Sequence, residues 1–144
     1  ASATPDDSLW CIVCDDIRNE LGGKHSLIGT YRDRIIFSVN KEQFNSWPKS
    51  IRLAFFIEVD FDKKTPPQSF VFNMIEDGVT HELFRGGFSV NKDSKTIILS
   101  LLHPSLKFKQ TGTVNFEIIF FDNKNKPLTT LCPGVDFGVE ERLI

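Results

Sequence analysis

The chain has 144 residues, enough for one ordinary domain whose core needs no disulfide or metal staple. Its 17 basic and 19 acidic residues nearly balance, which argues against the strongly basic surface that nucleic acid or anionic lipid selects. No apolar run approaches the roughly 20 residues needed to cross a bilayer, and 14 phenylalanines against one tyrosine and one methionine place the apolar mass in rings that want burial.

In chain order, "ASATPDDS" (1–8) lacks the charged-then-apolar profile of a secretory signal and reads as a short polar arm, followed by a single domain over 9–144. "SLWCIVCDDI" reads as a strand, on which Cys11 and Cys14 point to opposite faces because their separation is odd. One metal ion cannot sit on both faces of a sheet, and redox C-x-x-C pairs sit at helix N-termini. The three cysteines, Cys11, Cys14 and Cys132, form no disulfide framework and read as free thiols of a reducing cytoplasm, with a bridge from Cys11 or Cys14 to Cys132 as the alternative. "ELGGK" is the tight turn of a hairpin, with Gly22 or Gly23 at positive φ, since Lys24 is not followed by the Ser or Thr of a phosphate loop. Gly29, in the return strand, marks a bulge or a close backbone approach.

"RIIFSV" places Ile35, Phe37 and Val39 on one face. "NKEQFNSWP" is the one helix candidate, a short helix near residues 41–47. Asn40 would cap it, Gln43 would complete the capping box and Pro48 would stop it, with Phe44 and Trp47 plugging one end of the core. In "RLAFFIEVDFD" every odd position from Leu53 to Phe61 is apolar and the even positions are mostly polar, a period of two. "SFVFNMIE", "TIILSLL" and "TVNFEIIFFD" repeat that pattern, inward through Phe70, Phe72 and Met74, through Ile97, Leu99 and Leu101, and through Val114, Phe116, Ile118 and Phe120. Turn chemistry separates them: "KKTPPQ", "EDGV", "VNKDSKT", "KQTG" and "DNKNKP". The spacing predicts an all-β, antiparallel β-sandwich of about seven to nine strands.

Candidate chemistry is sparse. Asp15, Asp16 and Glu20 cluster where the first strand runs out, with Arg18 among them; the expected arrangement is a solvated strand end with a local ion pair to Arg18. Asp60, Asp62 and Asp122 end two long strands and would make a cation site only by converging on one edge, against the charge of four neighbouring lysines. His25, His81 and His103 are scattered at spacings that nominate neither a metal nor a catalytic base.

The string "CDDIRNELGGKHSLIGTYRDRIIF" resembles the N-terminal signature of a bacterial domain family of unknown function: a strand, an acidic turn with a Gly-Lys step, "SLIG" and a path into a second strand. The alternating strand of residues 52–60 and the late "FEIIFFDNKNKPLTTL" hairpin are similar to that family's middle and end. The resemblance implies a small immunoglobulin-like sandwich, mostly intracellular and bacterial. It implies no activity and no catalytic residues.

Two function classes follow. The first is a non-catalytic protein-interaction module without cofactor or metal, binding a protein partner rather than nucleic acid or membrane, with self-association by an edge or a face left open. Its apolar contacts would be Phe56, Ile119 and Phe121, outward on the two long strands, with Asp15, Asp16 and Arg18 as polar ones. The alternative is that the helical segment or the C-terminal tail covers those rings. The second class is a hydrolase acting on a sugar or phosphoester through Asp15, Asp16 and Glu20, which requires the three carboxylates to line one cleft.

Overall fold

A computed structural model describes residues 4–5, 9–62, 64–90, 93–132 and 136–144. These contain eleven strands and no helix: β1 (Thr4–Pro5), β2 (Leu9–Asn19), β3 (His25–Tyr31), β4 (Arg34–Val39), β5 (Lys49–Asp60), β6 (Ser69–Glu76), β7 (Val79–Gly87), β8 (Thr96–Phe108), β9 (Gly112–Phe121), β10 (Pro127–Cys132) and β11 (Phe137–Leu143). The expected range of seven to nine is exceeded. Part of the reason is that residues 4–5 of the polar arm pair with β10 as a short strand.

The strands form two sheets. The smaller is antiparallel in the order β3-β2-β5-β8. In the larger, β9 carries β6 and then β7 along one side, and β10 and β11 in succession along the other. This sheet is mixed rather than purely antiparallel: β1 lies parallel to β10, and β11 lies parallel to β4 across a separation of about a hundred residues. No local pattern announces such a non-local pairing.

The period of two works as its physics requires. On β9, Val114, Phe116, Ile118 and Phe120 are buried and alternate with half-buried neighbours. Phe55 of the smaller sheet lies 4.8 Å from Phe72 and 5.0 Å from Phe116 of the larger, ring centroid to centroid, so the inner faces meet in an aromatic layer. Phe37 on β4 meets Phe108 on β8 at 6.1 Å and closes the core farther along.

The segment expected as a helix is a run of turns. Asn40 does act as a cap, accepting the Gln43 N–H on its side chain at 3.0 Å, and Phe44 N–H reaches the Asn40 carbonyl at 3.0 Å. Asn45 then takes a positive φ of 61°, which ends any helical path. What holds it there comes from β11. Glu141 accepts the Asn45 N–H on both oxygens at 3.0 Å and the Trp47 indole N–H at 3.2 Å, and pairs with Lys49 at 3.1 Å. Lys49 also donates to the Gln43 and Ser46 carbonyls, with its ammonium 5.0 Å from the Trp47 ring centroid. Trp47 therefore packs against Phe37 at the end of the core, whereas Phe44 stays exposed.

Burial alone would raise the Glu141 carboxyl, but the Asn45 N–H, the Lys49 ammonium and the Trp47 indole outweigh it and hold it below its ordinary value of 4.5. A carboxyl whose folded pKa lies below its unfolded one contributes its full stability above the unfolded value, and loses it as pH falls through the folded one. Thermal melts in acid should therefore fall less steeply for Glu141→Gln than for the wild type below pH 4.5, with the variant already less stable at neutral pH. Parallel acid limbs would show that Glu141 does not hold this segment.

Candidate functional site

Several of the exposed large apolar side chains gather on the outer face of the smaller sheet. Registration across β2, β5 and β8 sets three rows on that face: Trp10, Glu58 and Ile98; Ile12, Phe56 and Ser100; Cys14, Ala54 and Leu102. Trp10 is 51% exposed, Ile98 49% and Leu102 44%, around a floor of Ile12, Ala54 and Phe56. Ile28 on β3 extends the patch beside Asp16. Removing apolar area from water is worth about 25 cal/mol per Å², so covering these half-exposed side chains would contribute roughly 1–2 kcal/mol apiece.

Phe56 itself is 7% exposed. Neither a helix nor the C-terminal tail is the cover; the protein's own β2–β3 hairpin is. Trp10 meets Phe56 edge-on at 5.9 Å, and His25 lies 5.0 Å from it. In the ladder His25 pairs with Asn19, seven positions from Ile12, which faces Phe56. A flat hairpin would hold His25 about 23 Å away at roughly 3.3 Å per residue, so the tip must curl back over the sheet.

The bend is built at Gly29. Its φ is +67°, and a Cβ there would fall on the Asp15 carboxylate, which occupies that space and accepts the Tyr31 hydroxyl at 2.5 Å. The Tyr31 phenol is pushed up to about 12, by burial first and then by Asp15. At the tip, Gly22 and Gly23 both take positive φ, and the Glu20 N–H closes on the Lys24 carbonyl at 2.8 Å.

The acids do not converge. Asp15 turns to Tyr31, and Asp16, its neighbour on a strand, turns to the other face, where its ion pair is with Arg52 at 3.1 Å rather than with Arg18. Arg18 is exposed. Glu20 accepts the Ser26 hydroxyl at 3.1 Å. Asp60, Asp62 and Asp122 are likewise used locally, by the Thr96 hydroxyl at 2.7 Å, the Lys64 N–H at 3.0 Å, and the Lys124 and Lys126 N–H groups at 2.9 Å each. Among the described residues no group of three or more His, Cys, Asp or Glu side chains could hold a metal ion.

Cys11 and Cys14 are free thiols on opposite faces of β2, one against Ile57 and the other against Ala54. Burial, with Cys14 nearby, pushes Cys11 up to about 12, and burial raises Cys14 as well, so both stay protonated at neutral pH and are poor nucleophiles. The Cys132 side chain lies outside what the structure describes.

Ile119 and Phe121 do face outward on β9 and are half-buried, but they belong to the larger sheet, beside Val71 and Ser69. Its outer face looks away from that of the smaller sheet, so these two and Phe56 cannot form one patch. Sequence reasoning passed over Trp10, Ile98 and Leu102, and set His25 aside as one of three scattered histidines. The signal for three of them was present, because the alternation that buries Val13 and Ile97 sends Trp10, Ile98 and Leu102 to the wet side, where large apolar residues are unusual.

No protein-family model matches the chain, and no curated protein does. No helix of the described residues is long and apolar enough to cross a membrane.

Replacing Gly29 with Ala forces a side chain into the left-handed region and onto Asp15. Gly29→Ala should lower unfolding free energy in urea by about 2 kcal/mol or more, against about 1 kcal/mol for Gly23→Ala, where nothing lies within 4 Å of the added carbon. Equal losses would mean that the bend does not depend on the Asp15–Gly29 fit.

Proposed function

We propose that this chain is a non-catalytic protein-interaction module, an immunoglobulin-like sandwich of the bacterial family its N-terminal signature resembles, acting in the cytoplasm. It docks a protein partner that presents a flat apolar surface to the outer face of the smaller sheet. The observation that carries this reading is the half-exposure of Trp10, Ile98 and Leu102 together on one sheet face, around a floor already dried by Phe56 and Ala54. Tryptophan is among the residues that most often anchor protein interfaces, beside surface that is already desolvated. The free thiols Cys11 and Cys14 fit a reducing compartment. The hydrolase alternative has less support, since Asp15, Asp16 and Glu20 are each engaged by a different partner.

Immobilised wild-type chain should retain a protein from the lysate of its source cells that Trp10→Asp and Leu102→Asp each retain at least about tenfold less well, a change of some 1.4 kcal/mol. Val79→Asp, an exposed site on the larger sheet, should retain it as the wild type does. All variants are checked for folding by circular dichroism. Retention unchanged by Trp10→Asp, or lost with Val79→Asp, would remove the outer face from the interaction.

A further inference from the structure

Sheet edges are where unpaired backbone groups invite another strand, and natural proteins guard them with charge, proline, bulges or brevity. Most edges of this fold carry such a guard. β3 is bent at Gly29. β7 holds an extra residue at Leu83 and a Glu82–Arg85 ion pair at 2.7 Å. β4 is six residues long and opens on Arg34, paired to Glu140 at 3.5 Å, and β1 is two residues long.

β8 is different. It is the outermost strand of the smaller sheet and the longest in the fold, at 13 residues. Its first part, "TIILSLLH" (96–103), contains no Lys, Arg, Asp, Glu, Pro or Gly. Its guard begins only at Pro104, where β8 takes one more residue than β5 between the pairs Leu53–His103 and Ile51–Leu106. Eight edge residues that open on the β-branched Thr96, Ile97 and Ile98 and carry no formal charge are the kind of segment that invites pairing with another strand.

We infer that this edge pairs antiparallel with the same edge of a second copy of the chain, about a two-fold axis through Ser100. Three observations select a second copy and this register. An uncharged run meets no like-charge repulsion on approaching itself, whereas most charged edges would. An axis through Ser100 places Ile98 opposite Leu102 of the second copy, twice, on the outer face, and Leu99 opposite Leu101 on the inner face. Moving the axis by one residue sets Ser100 against Ile98 or Leu102 and loses those matched pairs. A groove of about 240 Å³ between Phe88–Val90 and Thr96–Leu99 leaves room beside the start of this edge for side chains of the second copy. The two small sheets then become one continuous sheet, with two apolar outer faces side by side, an isologous arrangement.

This inference rests on the edge and not on the outer-face reading, and its test separates the two. Analytical ultracentrifugation of the 144-residue chain should give twice the mass of one chain at high protein concentration. Ser100→Lys sets like charges on the axis and should weaken association at least about tenfold. Ile98→Lys/Leu102→Lys should do the same. Ile98→Lys/Leu102→Glu brings opposite charges together in the inferred register and should keep the dimer, while still spoiling the apolar face for a different partner. Trp10→Asp should leave the dimer intact. A wild type that is monomeric at every concentration overturns the inference. So does a dimer that survives the double-lysine variant, or one that the lysine–glutamate variant breaks equally, or one that Trp10→Asp dissolves.

Discussion

The ring of Phe55, set within 5.0 Å of both Phe72 and Phe116, is the contact on which the rest of the structure depends. It ties β5, one of the two inner strands of the smaller sheet, to the central pair of the larger one. Phe72 and Phe116 lie nearly parallel at 5.8 Å, and Phe137 closes on Phe116 at 5.7 Å, so the aromatic layer also anchors β11. With the inner faces consumed in this way, each sheet has one face left to present. Fold alone does not fix function, so the character of those outer faces is where this molecule's interactions are decided.

The larger sheet spends its outer face on polar pairing and half-buried side chains: Asn73 donates to Glu117 at 3.1 Å, and Ile119 and Phe121 are only partly open. The smaller sheet does the reverse. Its hairpin, bent at Gly29, lays His25 against Phe56 and leaves Trp10, Ile98 and Leu102 open around that contact. One element thus dries the floor of a surface without covering its rim. The same sheet ends in the unguarded part of β8, so its two exposed resources, a face and an edge, adjoin at Ile98 and Leu102.

How much of this was legible depends on the range of the interaction that decides it. Alternation over a few residues identifies β5, β6 and β9 and their inward sets, because side-chain direction on a strand is a local property. The same rule separated Cys11 from Cys14 correctly. Glycine chemistry located the hairpin turn and marked Gly29 as special, but there the close neighbour is the Asp15 carboxylate from the facing strand, not a bulge or another backbone. The short helix failed because Asn45 and Trp47 are held by Glu141, nearly a hundred residues away, and no local capping signal can see that partner. The patch of Phe56, Ile119 and Phe121 failed for a related reason. A period of two says that a residue points outward; it does not say from which sheet. Likewise the even positions of β5 looked wet, yet Ala54 is fully buried, and Phe56 is nearly so beneath Trp10 and His25 from the chain's beginning.

The most direct measurement is hydroxyl-radical footprinting of Trp10, comparing the purified chain with the same chain in lysate of its source cells. Phe44, comparably exposed but remote from the outer face, serves as the reference. If that face is a docking surface, Trp10 is oxidised readily in the purified chain and protected in the lysate, while Phe44 is oxidised equally in both. Equal oxidation of Trp10 in the two settings would contradict the account.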